Sequence, residues 1–296
     1  MAARWRAIGF TWMGAYLARP FEPCPVDEAA VTRVQYTVRE KMEFRFIEEG
    51  PSIDSPPVVL LHGMLGNLSN WFESIGSLAE NQYRVLVPVL PVYEMPMKMT
   101  SVRGLADYVS DFLRALEIRT ATLVGNSLGG HVALLVALDH PEYVTALVLS
   151  GSSGLYEVEM GTSTPRRQDR EYIRERAALT FYDPSHASDE LVEEMLELIN
   201  DRPRVARLIK MARSTKEETV AARLDEIEAP TLLIWGRNDL ITPPDVAGEF
   251  LDRIPDSELH FVEECGHAPM MERPEAFNAI MLQFLREKIR TESVAL

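Results

Sequence analysis

The chain has 296 residues, 46% of them apolar and 25% charged, with a net charge of −15 from 30 basic and 45 acidic side chains. That balance belongs to a folded protein facing water, and so acidic a surface repels polyanions, which excludes nucleic acid as an expected partner. Two cysteines, Cys24 and Cys265, are too few for a disulfide framework or a cysteine-built zinc site; they suit a reducing compartment, and the expected location is the cytoplasm.

The first twenty residues, "MAARWRAIGFTWMGAYLARP", place Arg4 and Arg6 ahead of a mostly apolar run. That run is too short to span a bilayer, so no transmembrane span is expected. Tyr16 stands where signal-peptide cleavage after Ala18 would need a small residue. Residues 1–33 therefore read as an N-terminal helical extension, amphipathic, packing on the body or on a membrane surface, with peripheral membrane association or secretion through it left open.

From residue 34 the chain alternates strand-like and helix-like segments. "VQYTVREKMEFRFIEEG" (34–50) reads as two leading strands, followed by strands at 58–63, 83–90, 120–126, 144–151, 231–236 and 257–264. Four of these, at 58–63, 120–126, 144–151 and 231–236, are near-continuous apolar runs, as parallel strands covered on both faces must be. Helical stretches fall between them at 101–118 and 128–142, and a last one at 274–290 starts with proline and ends in basic residues. The expected fold class is α/β, a mostly parallel central sheet with helices on both faces.

Residues 156–228 break the rhythm: they hold no parallel strand but show helical patterns at 166–182, 188–203 and 204–214. About seventy residues are too many for a plain connection. They read as a helical cap over the strand ends, inserted in a core made of 34–155 and 229–296.

Chemistry concentrates where strands end. "LVGNSLGGH" (123–131) sets Ser127 between Gly125 and Gly129 at the junction of an apolar strand and a helix. A residue at so sharp a turn is exposed and strained, and the flanking glycines remove side chains that would collide with it, the G-x-S-x-G nucleophile elbow. The helix that begins at Leu128 aims free N–H groups and its positive dipole end at the serine.

A serine hydroxyl needs a base. Of the other histidines, His131 and His140 belong to the elbow helix, His186 to the cap and His260 to the middle of a strand, whereas His267 lies on a loop after the last strand. An orienting acid is expected at Asp239, just beyond the strand at 231–236; Asp225 precedes that strand and Asp245 starts a helix. The order Ser127, Asp239, His267 makes a nucleophile, an acid that holds the imidazole tautomer, and a base that takes the serine proton. Gly63 in "LLHGMLGNLSNW" (60–71) permits close backbone approach, so the N–H groups of Met64 and Leu128 form a candidate oxyanion hole.

Elbow, acid, histidine and "HG" loop, in this order and with a helical insertion before the acid-bearing strand, resemble the α/β-hydrolase superfamily across residues 34–290. "GNSLGG", "IWGRNDLITPPD" and "SELHFVEECGHAPMMERPEAFN" are similar to the branch that holds meta-cleavage C–C bond hydrolases and small carboxylesterases. The resemblance implies the α/β-hydrolase fold, Ser127 as nucleophile, Asp239 as acid, His267 as base, and Met64 and Leu128 as oxyanion donors. It also implies that Asn126 and an arginine such as Arg202 bind an acidic substrate; from the residues themselves, Gly63 is expected beside the site and Tyr93, with the methionines of 88–101, in an apolar pocket wall. Two departures stand out: the run "PVLPVYEMPMKMTS" (88–101) lacks the glycines relatives carry there, and Ala268 stands where C–C hydrolases tend to have tryptophan. The function expected first is hydrolysis of a small carboxylic ester through an acyl-enzyme. The alternatives are C–C bond cleavage in a vinylogous diketo acid and, from another class, a non-catalytic ligand-binding member of the fold. The expected partner is a small apolar acyl compound, no metal or cofactor is expected, and a homodimer is left open.

Overall fold

A computed structural model describes residues 36–51, 55–157 and 169–289. The N-terminal extension expected over 1–33, Cys24 within it, and part of the insertion (158–168) lie outside those residues. Eight strands, β1 (Val38–Lys41), β2 (Phe44–Glu49), β3 (Val58–Leu61), β4 (Val85–Pro88), β5 (Ala121–Asn126), β6 (Val144–Ser150), β7 (Thr231–Gly236) and β8 (Ser257–Val262), form one sheet in the order β1-β2-β4-β3-β5-β6-β7-β8. β2 pairs antiparallel with β1 and β4, and every pairing from β4 through β3 to β8 is parallel. The carboxyl ends of six strands thus share one edge, where open α/β sheets carry their sites. Each strand expected from the sequence is present; the one at 231–236 keeps its expected bounds and the others are shorter at one or both ends.

Side-chain parity sends alternate residues to opposite faces. Val58, Leu60, Val124, Val148 and Ile234 face one side, where they cluster with Ile75 and Leu78 of α1 (Phe72–Glu80) and Phe277 and Met281 of α9 (Pro274–Lys288). On the other side Trp235 packs on Phe250 of α7 (Pro244–Arg253), and Phe44 and Phe46 pack on Phe112 of α2 (Val102–Ala115). There α2 also packs on α3 (Leu128–Asp139), which is buried all round from Leu128 to Leu138, as an apolar helix must be. Neither α1 nor its short 3₁₀ lead-in, Leu68–Trp71, is among the expected helices.

Among the described residues between β6 and β7 lie the α-helices α4 (Arg170–Ala178), α5 (Asp189–Asn200) and α6 (Arg202–Glu217). Ser188 caps α5 as its sequence position requires, accepting from Leu191 N–H at 3.2 Å. The break to α6 comes at Asp201, whose carboxylate takes the Arg204 N–H at 3.0 Å, so α5 ends earlier than the periodicity of 188–203 suggests. The insertion bonds to loops all along the carboxyl edge. Glu194 accepts from Asn67 after β3 at 3.1 Å, Arg207 donates to Met95 O after β4 at 2.7 Å, and Thr180 O accepts from His267 N–H after β8 at 2.7 Å. No helix of the described residues is long and apolar enough to cross a membrane. A four-residue helix, α8 (Pro269–Glu272), completes the set and directly follows the last of these loops.

Candidate active site

Ser127 sits at φ +55°, ψ −119°, the strained backbone expected between β5 and α3. Its N–H donates to Ser150 O at 3.0 Å, and its carbonyl accepts from Gly130, His131 and Ser153 N–H at 3.0 to 3.1 Å. The two glycines of the motif are steric necessities. A Cβ on Gly129 would lie 2.1 Å from Leu61 O, and one on Gly125 would lie 2.4 Å from the backbone of Gly129. Strand and helix therefore cross at backbone contact, and the bend falls on Ser127.

Asp239 and His267 are both buried and lie on the loops after β7 and β8. One Asp239 oxygen accepts the N–H groups of Ile241 and Thr242, at 2.8 and 3.0 Å; the other accepts Thr242 Oγ1 at 2.9 Å and His267 Nδ1 at 2.8 Å. A carboxylate with this donor set only accepts, so the proton between it and the ring is on Nδ1, and Nε2 is left with its lone pair. Burial pulls the imidazole pKa down, but the charge and hydrogen bond of Asp239, joined by the charge of Glu157, prevail and hold it above its ordinary value. Trp235 Nε1 donates to Thr242 O at 2.7 Å, which fixes the turn carrying the acid to the strand before it.

The histidine loop is held at each backbone position. His267 N–H donates to Thr180 O at 2.7 Å, His267 O accepts Asn126 Nδ2 at 3.0 Å, and Gly266 N–H donates to Glu272 at 2.6 Å. Gly151, beside the Ser150 carbonyl that holds Ser127, packs on the ring so closely that a Cβ there would lie 2.8 Å from Nδ1. The elbow and the imidazole are thus neighbours through shared contacts. No hydrogen bond joins Ser127 to His267 directly; such bonds commonly form only once substrate is in place.

His62 organises the loop after β3. Its Nε2 accepts Leu90 N–H at 3.3 Å, which makes Nδ1 the donor to Gly63 O at 2.9 Å, and burial lowers its pKa, keeping the ring neutral. Tyr93 donates to Met64 O at 2.5 Å, and burial raises its pKa, keeping the phenol protonated as a donor. Among the described residues the N–H groups of Met64 and Leu128 have no acceptor, as candidate oxyanion donors require. Gly63 lies against the elbow, where a Cβ would meet Ser127 Cβ at 3.3 Å.

The remaining expected residues fall in different places. Asn126 uses both amide protons inside the protein, on the carbonyls of Ser150 and His267 at 3.0 Å, so only its Oδ1 is left for a ligand. Arg202 is exposed in the first turn of α6, the end of a helix dipole that does not favour a cation. Arg204, one turn-start further on, is half-buried, and its charge opposes the upward pKa shifts that burial gives Tyr93 and Glu94. The sequence reading missed Arg204, together with Glu272 and Thr180. His131 is buried in α3 with Nε2 2.9 Å from Glu218 O, and its burial depresses the pKa to about 4. His186 packs on Phe181, His140 is half-buried near Glu142, and His260 is exposed near Glu258. Among the described residues no group of three or more His, Cys, Asp or Glu side chains is arranged to hold a metal ion.

Comparison with known proteins places this arrangement in a family. Residues 58–280 match the model of the alpha/beta hydrolase family. A 2-hydroxy-6-oxo-6-phenylhexa-2,4-dienoate hydrolase of Comamonas testosteroni is 31% identical over 251 residues, 78% of this chain and 88% of that protein. A 2-hydroxy-6-oxononadienedioate/2-hydroxy-6-oxononatrienedioate hydrolase of Burkholderia vietnamiensis is 29% identical across 88% of this chain and 97% of its own length. Among solved structures, MGS-MChE2, an alpha/beta hydrolase enzyme from the sediment metagenome of the Mar Chica lagoon in Morocco, is 35% identical. It aligns with a TM-score of 0.70 over 85% of this chain and 98% of that one. With the sheet order, the elbow and the matched span in agreement, the chain belongs to the alpha/beta hydrolase family.

Proposed function

We propose that the protein is a serine hydrolase that cleaves a carbon–carbon bond in a vinylogous 2-hydroxy-6-oxo-dienoate, with Ser127 as nucleophile, His267 as base and Asp239 as its orienting acid. The observation that carries the chemistry is the buried His267–Asp239 pair at 2.8 Å, which commits Nδ1 and leaves Nε2 basic beside the elbow. The substrate class is supported by the likeness to dienoate hydrolases over most of the chain.

In such a substrate the electron pair of the breaking bond needs a sink, because a vinyl anion is too poor a leaving group. Moving the enol proton to C5 first turns the leaving fragment into a conjugated enolate. Ser127 Oγ then bonds to C6 as His267 takes its proton, and the C6 oxyanion rests on the Met64 and Leu128 N–H groups. Collapse breaks the C5–C6 bond, sends its electrons into the dienolate, which takes a proton on oxygen, and leaves an acyl-enzyme. Water activated by His267 releases the acid. In this reading the insertion at 156–228 is a cap that shapes the pocket with Tyr93 and the methionines of 95–99. Arg204, beside Tyr93, is a better placed cation than Arg202 for the substrate carboxylate.

Hydrolysis of a small carboxylic ester uses the same machinery and is the second reading, favoured by Ala268 in the place of a tryptophan and by the glycine-free run 88–101. Assay of the purified enzyme on 2-hydroxy-6-oxo-6-phenylhexa-2,4-dienoate beside p-nitrophenyl butyrate separates the two. The proposal expects a kcat/KM for the dienoate at least about 100-fold above that for the ester, a gap of roughly 2.7 kcal/mol. The reverse preference would assign the site to esters.

A further inference from the structure

Glu272 is a carboxylate with 4% of its surface exposed, and among the described residues no Lys, Arg or His forms an ion pair with it. Burying a lone anion is costly unless hydrogen bonds satisfy it. Here each oxygen takes one backbone N–H: Oε2 that of Gly266 at 2.6 Å, Oε1 that of Asp183 at 2.7 Å. Gly266 immediately precedes His267, whereas Asp183 belongs to the inserted segment, three residues after the Thr180 carbonyl that holds His267 N–H. One carboxylate therefore joins the histidine loop to the insertion, and the chemistry demands an acid. The amide of glutamine has an acceptor at one terminal position and a donor at the other, so in the same rotamer it cannot accept one N–H at each.

We propose that Glu272 is a positioning residue for His267, through which the seating of the inserted helices sets the register of the imidazole over Ser127. The packing leaves little slack, since a Cβ on Gly266 would lie 2.5 Å from Thr180 O and 2.8 Å from Phe181 Cα. Loss of either Glu272 bond frees the peptide that carries the ring on one side while Asp239 still pulls on the other. The inference rests on the proposed roles of Ser127 and His267.

The test compares steady-state kinetics, pH profiles and thermal unfolding of wild type, Ser127→Ala, Glu272→Gln and Asp183→Pro, the last read against Asp183→Ala, which keeps the N–H that proline removes. Positioning predicts that Glu272→Gln lowers kcat at least about tenfold with KM within about twofold, since small misplacements of a catalytic group cost this much or more. It also predicts that the acid limb of kcat/KM moves to lower pH, because a slack loop weakens the Asp239 contact that raises the imidazole pKa. Asp183→Pro should move both quantities in the same direction. Inactive Ser127→Ala beside a Glu272→Gln with wild-type kcat and acid limb, whatever its melting temperature, would overturn the inference and spare the reading of the site. An active Ser127→Ala would overturn that reading itself. Should Glu272→Gln fail to fold, unchanged kcat and acid limb in Asp183→Pro would suffice to reject the idea.

Discussion

Asn126, the residue before Ser127, donates to the carbonyl of His267 across 141 positions of sequence at 3.0 Å. The elbow and the histidine loop are therefore one hydrogen-bonded unit, independent of any contact between hydroxyl and imidazole. Asn126→Ala removes this bond and the one to Ser150 O; the buried His267 carbonyl loses its donor, while Ser150 O keeps the Ser127 N–H. The expected cost is about 1–3 kcal/mol in stability, with kcat lowered about 10- to 100-fold and KM little changed. Urea unfolding and steady-state kinetics on the same preparation check it. A large rise in KM with kcat intact would instead make Asn126 a substrate ligand.

The His267 pKa, raised by Asp239 against the pull of burial, sets two opposite pH trends. Turnover needs the neutral ring, so kcat/KM climbs as pH rises through the raised value. The stability contributed by the charged pair is fully present below the unfolded histidine value, about 6.5, and is lost as pH rises through the raised native value. In Asp239→Asn only the charge of Glu157 still opposes burial, so the acid limb should shift to lower pH while kcat falls by about 10³–10⁴. The melting-temperature gap between wild type and this variant should narrow as pH increases across that window. An acid limb that stays in place would remove Asp239 from its assigned role.

Gly129→Ala tests the crossing of β3 and α3. With its Cβ built 2.1 Å from Leu61 O, a backbone atom that cannot swing away, the variant should lose about 3 kcal/mol or more, the upper end of overpacking costs. Denaturant titration measures this; a loss below about 1 kcal/mol would mean that helix and strand shift apart with little resistance.

Arg204→Ala should separate substrate classes. If its guanidinium meets the carboxylate of a dienoate, KM for that substrate rises about 10- to 100-fold, the worth of one charge-assisted hydrogen bond, while KM for an uncharged p-nitrophenyl ester stays put. Equal effects on both would point to packing around Tyr93 instead.

Much of this was legible in the chain because it is local. An apolar run, then glycine, serine and glycine at fixed spacing, announces a strand driven against a helix, and Asp239 and His267 each follow a strand by a few residues. What escaped depends on distance in sequence. The bonds of Glu272 to Asp183 and of Asn126 to His267 span 89 and 141 residues, and no periodicity encodes them. The surroundings of Arg202 and Arg204 are hidden for a related reason: the helical pattern runs on to 203, but Asp201 caps a new helix whose first turn leaves Arg202 exposed and Arg204 half-buried. α1 is faint in the sequence because Gly76 and two serines in its nine residues dilute the helical signal that Phe72, Ile75 and Leu78 carry at every third position.

Reaction of the purified protein with a fluorophosphonate, followed by peptide mapping, probes the nucleophile most directly. The account predicts one stoichiometric adduct on Ser127, with labelling slowed by orders of magnitude in His267→Ala. Enzyme that turns over substrate yet carries no adduct at Ser127, or carries it on another residue, would contradict it.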